Sequence, residues 1–89
     1  MKKIIGKNGE IREMRLEEAF KENQGLIWNL AYKKAHNDPQ VLYDLFQEGC
    51  IGFIKAYRRY DASKGYNFST YAVPTILGEI TRCLRDTNP

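Results

Sequence analysis

The sequence predicts an all-α fold, a small helical bundle of three main helices. Apolar residues recur at helical spacing in three separate stretches, and a loop of turn-forming residues parts the second stretch from the third. Asp38-Pro39 divides the first two, placing a capping carboxylate before a proline at the helix position where its missing N–H costs least. A chain of 89 residues has room for one such core and not for two.

Residues 1–14 stand apart from this pattern. Asn8-Gly9 lies between short apolar pairs and suits a hairpin turn. Two short isolated strands are marginal in water, so a mobile or loosely docked arm is expected there, with the helical domain spanning 15–89. From about Arg15 to Ala35, Leu16, Ala19, Phe20, Ile27, Leu30 and Ala31 fall on one stripe and define helix one. Helix two is expected from Pro39 to about Tyr60. Its core side holds Leu42, Leu45, Phe46, Gly49, Cys50, Phe53, Ala56, Tyr57 and Tyr60. Its opposite side sets Ile51 and Ile54 among Asp44, Gln47, Glu48 and Lys55. Apolar residues ringed by polar ones on an outward face are an interface signature.

The loop Asp61-Ala62-Ser63-Lys64-Gly65-Tyr66-Asn67 follows, and helix three is expected to begin with Ser69 or Thr70 as its N-cap. Val73, Ile76, Leu77, Ile80, Cys83 and Leu84 should face the core. Tyr71, Thr75, Gly78, Thr81, Arg82 and Arg85 take the other side, with Glu79 at the margin. Pro74 lacks a backbone donor and should kink the helix or delay its start, and Asp86-Thr87-Asn88-Pro89 should end it.

Net charge is only +3, but its sign is uneven along the chain. Glu10, Glu13, Glu17, Glu18 and Glu22 make the early part acidic. From Lys55 to Arg85, six bases (Lys55, Arg58, Arg59, Lys64, Arg82 and Arg85) face only Asp61 and Glu79. Tyr60, Tyr66, Phe68 and Tyr71 interleave with these bases. Aromatic faces beside cations suit single-stranded nucleic acid, where a stacked base contributes about 1–3 kcal/mol and the cations hold phosphates. Spacing alone leaves core packing and base stacking both open for these rings.

Other classes of function find no support in the composition. Cys50, Cys83 and His36 lack metal-ligand spacing and read as packed, reduced thiols and a lone imidazole, so no cofactor is expected. Apolar runs fall well short of the roughly 18 residues of a membrane span, and the N-terminus has no apolar signal core, so a cytoplasmic protein is expected. No nucleophile has a paired base, and Asp44 with Glu48 reads as a solvated or partner-facing i, i+4 pair rather than an acid and base; an enzyme is not expected.

The segments DLFQEGCIGFIKAYRRYD (Asp44 to Asp61), KGYNFSTYAVPTILGEI (Lys64 to Ile80) and TRCLRD (Thr81 to Asp86) resemble region 2 of the bacterial sigma-seventy family. The likeness is nearly gapless and, with helix one, extends from about Glu18 to Asp86. It implies a sigma region 2 bundle with two working surfaces. Asp44, Gln47, Glu48, Ile51 and Ile54 fall on the surface that grips the clamp coiled coil on the largest subunit of core RNA polymerase. Cys50 matches a position there that often carries a polar residue. Tyr60, Asp61, Lys64, Tyr66, Phe68 and Tyr71 match the loop and helix start that capture a flipped adenine of the promoter minus-ten element on the single-stranded non-template DNA, with Tyr60 and Tyr71 as stacking walls. Ser69 and Thr70, with Asn23 reached through one inserted residue, match positions near a second base pocket. Thr81 and Arg82 match residues at the upstream duplex edge, and Arg85 is a phosphate contact by the same likeness.

Pro74 and Thr75 stand where housekeeping sigma factors carry two tryptophans that wedge the duplex. The stretch FSTYAVPTILGEI is similar instead to sporulation and general-stress sigma factors. No helix-turn-helix for the minus-thirty-five element follows Pro89, which implies either an excised domain or a natural short protein, working in the bacterial cytoplasm on the nucleoid. The alternative is a sigma-like interaction module or decoy that binds polymerase or an anti-sigma factor without using DNA.

Overall fold

A computed structural model describes residues 1–87. In chain order it contains strands β1 (Lys2–Ile5) and β2 (Ile11–Met14), helices α1 (Leu16–Ala35) and α2 (Pro39–Arg59), a 3-10 turn (Ala62–Lys64) and helix α3 (Phe68–Thr87). The helices form the all-α bundle that the apolar stripes predict, with α2 lying between α1 and α3, which touch each other far less. Asn88 and Pro89, part of the stretch expected to end helix three, lie outside the described residues.

Local chemistry sets the helix limits. Glu18 Oε1 accepts the Arg15 N–H at 3.1 Å and satisfies a donor at the start of α1. His36 and Asn37 both take the left-handed conformation, at φ 53° and 64°, and stop that helix before Asp38. Asp38 then caps α2, its Oδ1 accepting the N–H groups of Gln40 at 3.0 Å and Val41 at 3.4 Å. Helix α3 starts earlier than Ser69 or Thr70 would have it. Asn67 is the cap, with its Oδ1 accepting the Thr70 N–H at 2.8 Å, and buried Phe68 anchors the first turn. That turn is complete before Pro74, which sits exposed inside an unbroken helix and does not delay its start.

Phe53 centres the core, fully buried on α2. Its ring meets Phe20 of α1 edge-on at 5.8 Å and Phe68 of α3 at 5.4 Å. Leu45, Ile27, Ile76 and Ile80 fill the remainder. Gly52 lets α3 approach α2 closely, because a Cβ there would stand 2.8 Å from the Ile76 Cα and 3.0 Å from the Thr75 carbonyl oxygen.

Residues 1–14, expected as an arm, contain an antiparallel hairpin in which Ile4 pairs with Arg12 and Lys2 with Met14. Gly9, at φ 84°, turns the chain. Period-2 alternation puts Lys2, Ile4, Arg12 and Met14 on one face of the ribbon, and this face meets the helices. Ile4 and Met14 are buried, and the Tyr57 hydroxyl donates to the Met14 carbonyl at 2.6 Å. Lys2 Nζ donates to the carbonyls of Arg58 and Tyr60, both at 2.9 Å, where the end of α2 leaves acceptors unfilled. Docking therefore supplies what two four-residue strands lack alone.

Candidate functional site

Two surfaces hold the residues singled out from sequence. On α2, Asp44 and Gln47 are exposed, Glu48 and Ile54 are half-buried, and Ile51 is 44% exposed. Ile54 and half-buried Cys50 floor a shallow, almost wholly apolar groove of about 450 Å³, completed by Phe20 of α1 and rimmed by Glu17 and Lys21. Burial raises the Cys50 thiol above its ordinary pKa. Burial, with the negative charge of Glu48, Asp44 and Asp86, raises the Cys83 thiol above its ordinary pKa. The α2 face thus combines apolar area with carboxylates and an amide.

Lys55 belongs to this face by its helical position but is turned to a different task. Its Nζ lies 2.5 Å from Glu79 Oε1, and Arg82 pairs with the other Glu79 oxygen. Glu79, placed at the margin by the helical wheel, is in fact only 8% exposed. The Lys55 hydrogen bond leads, with Arg82 helping, in holding the Glu79 carboxyl below the ordinary glutamate pKa against its own desolvation. The spacing of Glu79 and Arg82, i and i+3, is a signal that sequence could have used.

The second surface is the aromatic loop and the start of α3. Tyr66 is 58% exposed, Lys64 and Thr70 are exposed, and Tyr71 is half-buried. Asp61 is exposed and caps the 3-10 turn, accepting the Ser63 N–H at 2.9 Å and hydroxyl at 2.7 Å; these bonds lower its pKa. Tyr60 and Phe68 are 3% and 2% exposed, so neither presents an open face. Their rings meet at 5.1 Å, and Tyr60 abuts Tyr71 at 5.5 Å with the planes tilted by 60°. The two rings are thus in contact, Tyr60 inside the core and Tyr71 half-buried above it. The Tyr60 hydroxyl donates to the Tyr66 carbonyl and accepts the Ile5 N–H at 3.3 Å.

Asn23 and Ser69, 46 residues apart in sequence, come together: Ser69 Oγ lies 3.1 Å from Asn23 Oδ1. Asn23 Nδ2 donates to the Ala19 carbonyl at 2.8 Å, which orients the amide. Thr81, Arg82 and Arg85 are exposed farther along α3, with Thr81 about 15 Å from Tyr71 at the helical rise. They therefore form a separate patch. The sequence reading passed over the hairpin's contacts with Tyr60, and over Trp28, which is stacked on Phe46 at 3.7 Å. Among the described residues, no cluster of His, Cys, Asp or Glu has the makings of a metal site, and no helix is long and apolar enough to cross a membrane.

The family model for sigma-70 region 2 matches residues 19–89. The chain is 51% identical over 57 residues to an RNA polymerase sigma-G factor of Bacillus subtilis, covering 64% of this chain and 22% of that one. It is 46% identical over 72 residues to a sigma-G factor of Clostridium acetobutylicum, covering 81% of this chain and 28% of that one. A Bacillus anthracis sigma-B factor is 41% identical over 78 residues, covering 88% of this chain and 28% of that one. The chain thus spans less than a third of the length of these relatives. Because the match begins early in α1 and takes in α2, the aromatic loop and α3, this chain belongs to the sigma-70 family, and its helical bundle is that family's region 2.

Proposed function

We propose that this chain acts in transcription initiation as a sigma factor domain, binding core RNA polymerase and promoter DNA. Asp44, Gln47, Glu48, Ile51 and Ile54 would dock on the clamp coiled coil of the largest subunit, where the apolar groove beside Ile54 receives side chains and the acids meet bases. The aromatic loop and α3 would capture unpaired bases of the non-template minus-ten strand. Tyr66 and Tyr71 would offer ring faces, with buried Tyr60, itself against Phe68, backing Tyr71, and exposed Lys64 in the loop would take a phosphate. Thr81, Arg82 and Arg85 would brace the upstream duplex. The relatives are named as RNA polymerase sigma-G and sigma-B factors, in keeping with the likeness of FSTYAVPTILGEI to alternative sigma factors.

The observation that carries this is the coincidence of the region 2 match with exposed Tyr66 and Lys64 in the loop and half-buried Tyr71 at the start of α3. No covalent step is involved: opening DNA would draw on binding energy, with extruded bases stacking on the protein. The direct test is fluorescence anisotropy of a labelled single-stranded minus-ten oligonucleotide with the chain, alone and with core polymerase. Sequence-dependent binding is expected. Equal binding of a scrambled strand under both conditions would leave only a polymerase-binding or anti-sigma-binding module that makes no use of DNA.

A further inference from the structure

Among the described residues, Glu79 alone is a buried charged side chain. It lies where α3 crosses Gly52 of α2: a Cβ on that glycine would stand 3.2 Å from the Glu79 Cγ, so the glycine makes room for this side chain. One carboxylate oxygen accepts from Lys55 Nζ at 2.5 Å, and the other accepts from Arg82 Nη2. We infer that Glu79 is a positioning residue, which fixes the Arg82 guanidinium before DNA arrives for the edge of one base in the upstream duplex. Base reading by Arg82 is thereby separated from phosphate holding by Arg85. This rests on the duplex contact proposed above for the two arginines.

Geometry and charge both favour a base edge over a phosphate for Arg82. An exposed acid would swing with its partner and order it little. Glu79 is held instead by packing over Gly52 and by the Lys55 bond. Arg82 is tied to it through Nη2, its side chain is 53% exposed, and by valence its other nitrogens keep N–H groups for a partner. The cost of ordering this long side chain therefore falls on folding and not on DNA binding. A planar fork in a fixed direction matches two acceptors side by side, as on the major-groove edge of guanine.

A phosphate needs no such direction and is drawn by net charge. Glu79 cancels one of the two positive charges beside it, which makes Arg82 the weaker phosphate ligand. Arg85, three residues on, is exposed and makes no ion pair among the described residues, so its charge stays available to phosphates. Gly78, one turn before Arg82, is exposed and has open space where a Cβ would stand, so the helix surface there is bare to an approaching duplex.

The test uses the full chain bound to core polymerase and a set of fluorescent forks, each a duplex ending in a single-stranded minus-ten strand. One G·C pair is placed in turn, in either orientation, at each of the last few duplex positions. The wild type is expected to prefer one member of the set about tenfold. Arg82→Ala and Arg82→Lys should both abolish this preference, although Lys keeps the charge and with it the salt dependence. Glu79→Gln should reduce the preference about fivefold, leave the other forks bound as before, and steepen the salt dependence by about one counterion as the released Arg82 turns to phosphate. Glu79→Ala, with no polar group to bury, should act in the same way and serves where the amide impairs folding. Arg85→Ala should weaken every fork alike. If both Glu79 variants keep the full preference, or weaken every fork equally, while Arg82→Ala abolishes it, Glu79 only supports the fold and the inference is overturned. A wild type without preference, with Arg82→Ala weakening all forks alike, makes Arg82 a phosphate contact; that too overturns the inference, while the duplex contact stands. If Arg82→Ala and Arg85→Ala are both silent, the duplex contact itself falls.

Discussion

Glu79 joins two faces that the helical wheel keeps apart, since Lys55 comes from α2 and Arg82 from α3. Its carboxylate is buried and its partners are partly exposed, so replacing it by Gln should cost about 1–2 kcal/mol in urea denaturation. Its folded pKa lies below the unfolded value, so the unfolded state binds the proton more readily. The stabilisation is therefore present above the ordinary glutamate pKa of about 4.3 and is lost as pH falls through the lower folded value. Melting temperatures measured from pH 6 downward should show this loss in the wild type and much less of it in Glu79→Gln. At the proposed interfaces, Tyr71→Ala should weaken strand capture by about 1–3 kcal/mol while sparing polymerase binding. Gln47→Ala with Ile54→Ala should do the reverse, and competition binding to core polymerase measures both. Loss of both activities from either change would indicate unfolding instead.

Among the elements, α2 is held by capping at its start and by close packing at its middle. Asp38→Ala should cost about 1 kcal/mol, read from the denaturation midpoint, because two N–H groups lose their acceptor. Gly52→Ala should cost more, about 1–3 kcal/mol, although alanine has the better helix propensity. The added methyl meets the α3 backbone, which has no rotamer with which to yield. The hairpin depends on α2 in turn. Lys2→Ala removes both bonds to the carbonyls at the end of α2, and hydrogen exchange in β1 should quicken before exchange in the α2 core does.

For the whole molecule, charge sets how the two proposed contacts respond to salt. DNA binding, by strand capture beside Lys64 and by duplex contacts at Arg82 and Arg85, should weaken as salt rises, by counterion release, whereas docking through Ile51 and Ile54 should weaken less. Titrations at two salt concentrations separate these slopes. Much of this architecture was legible in advance. Asp38-Pro39, the apolar stripes and the loop before Asn67 placed the helices, and the motifs from Asp44 to Asp86 pointed to the family. These are local signals: a cap, a period and a string of neighbouring residues need no knowledge of the fold.

What sequence by itself determined, then, was the set of helices, the family and the residue types on each outward face. Tertiary structure alone decided which of those residues have room to act. Tyr60 and Phe68 are drawn inward by the ring cluster around Phe53, and Glu79 is drawn in by two cations from different helices. Ser69 meets Asn23 across 46 positions, and a hairpin too short to stand alone becomes ordered by lying on the helices. Each depends on contacts between residues far apart in the chain, whose free energy arises only when the whole core forms.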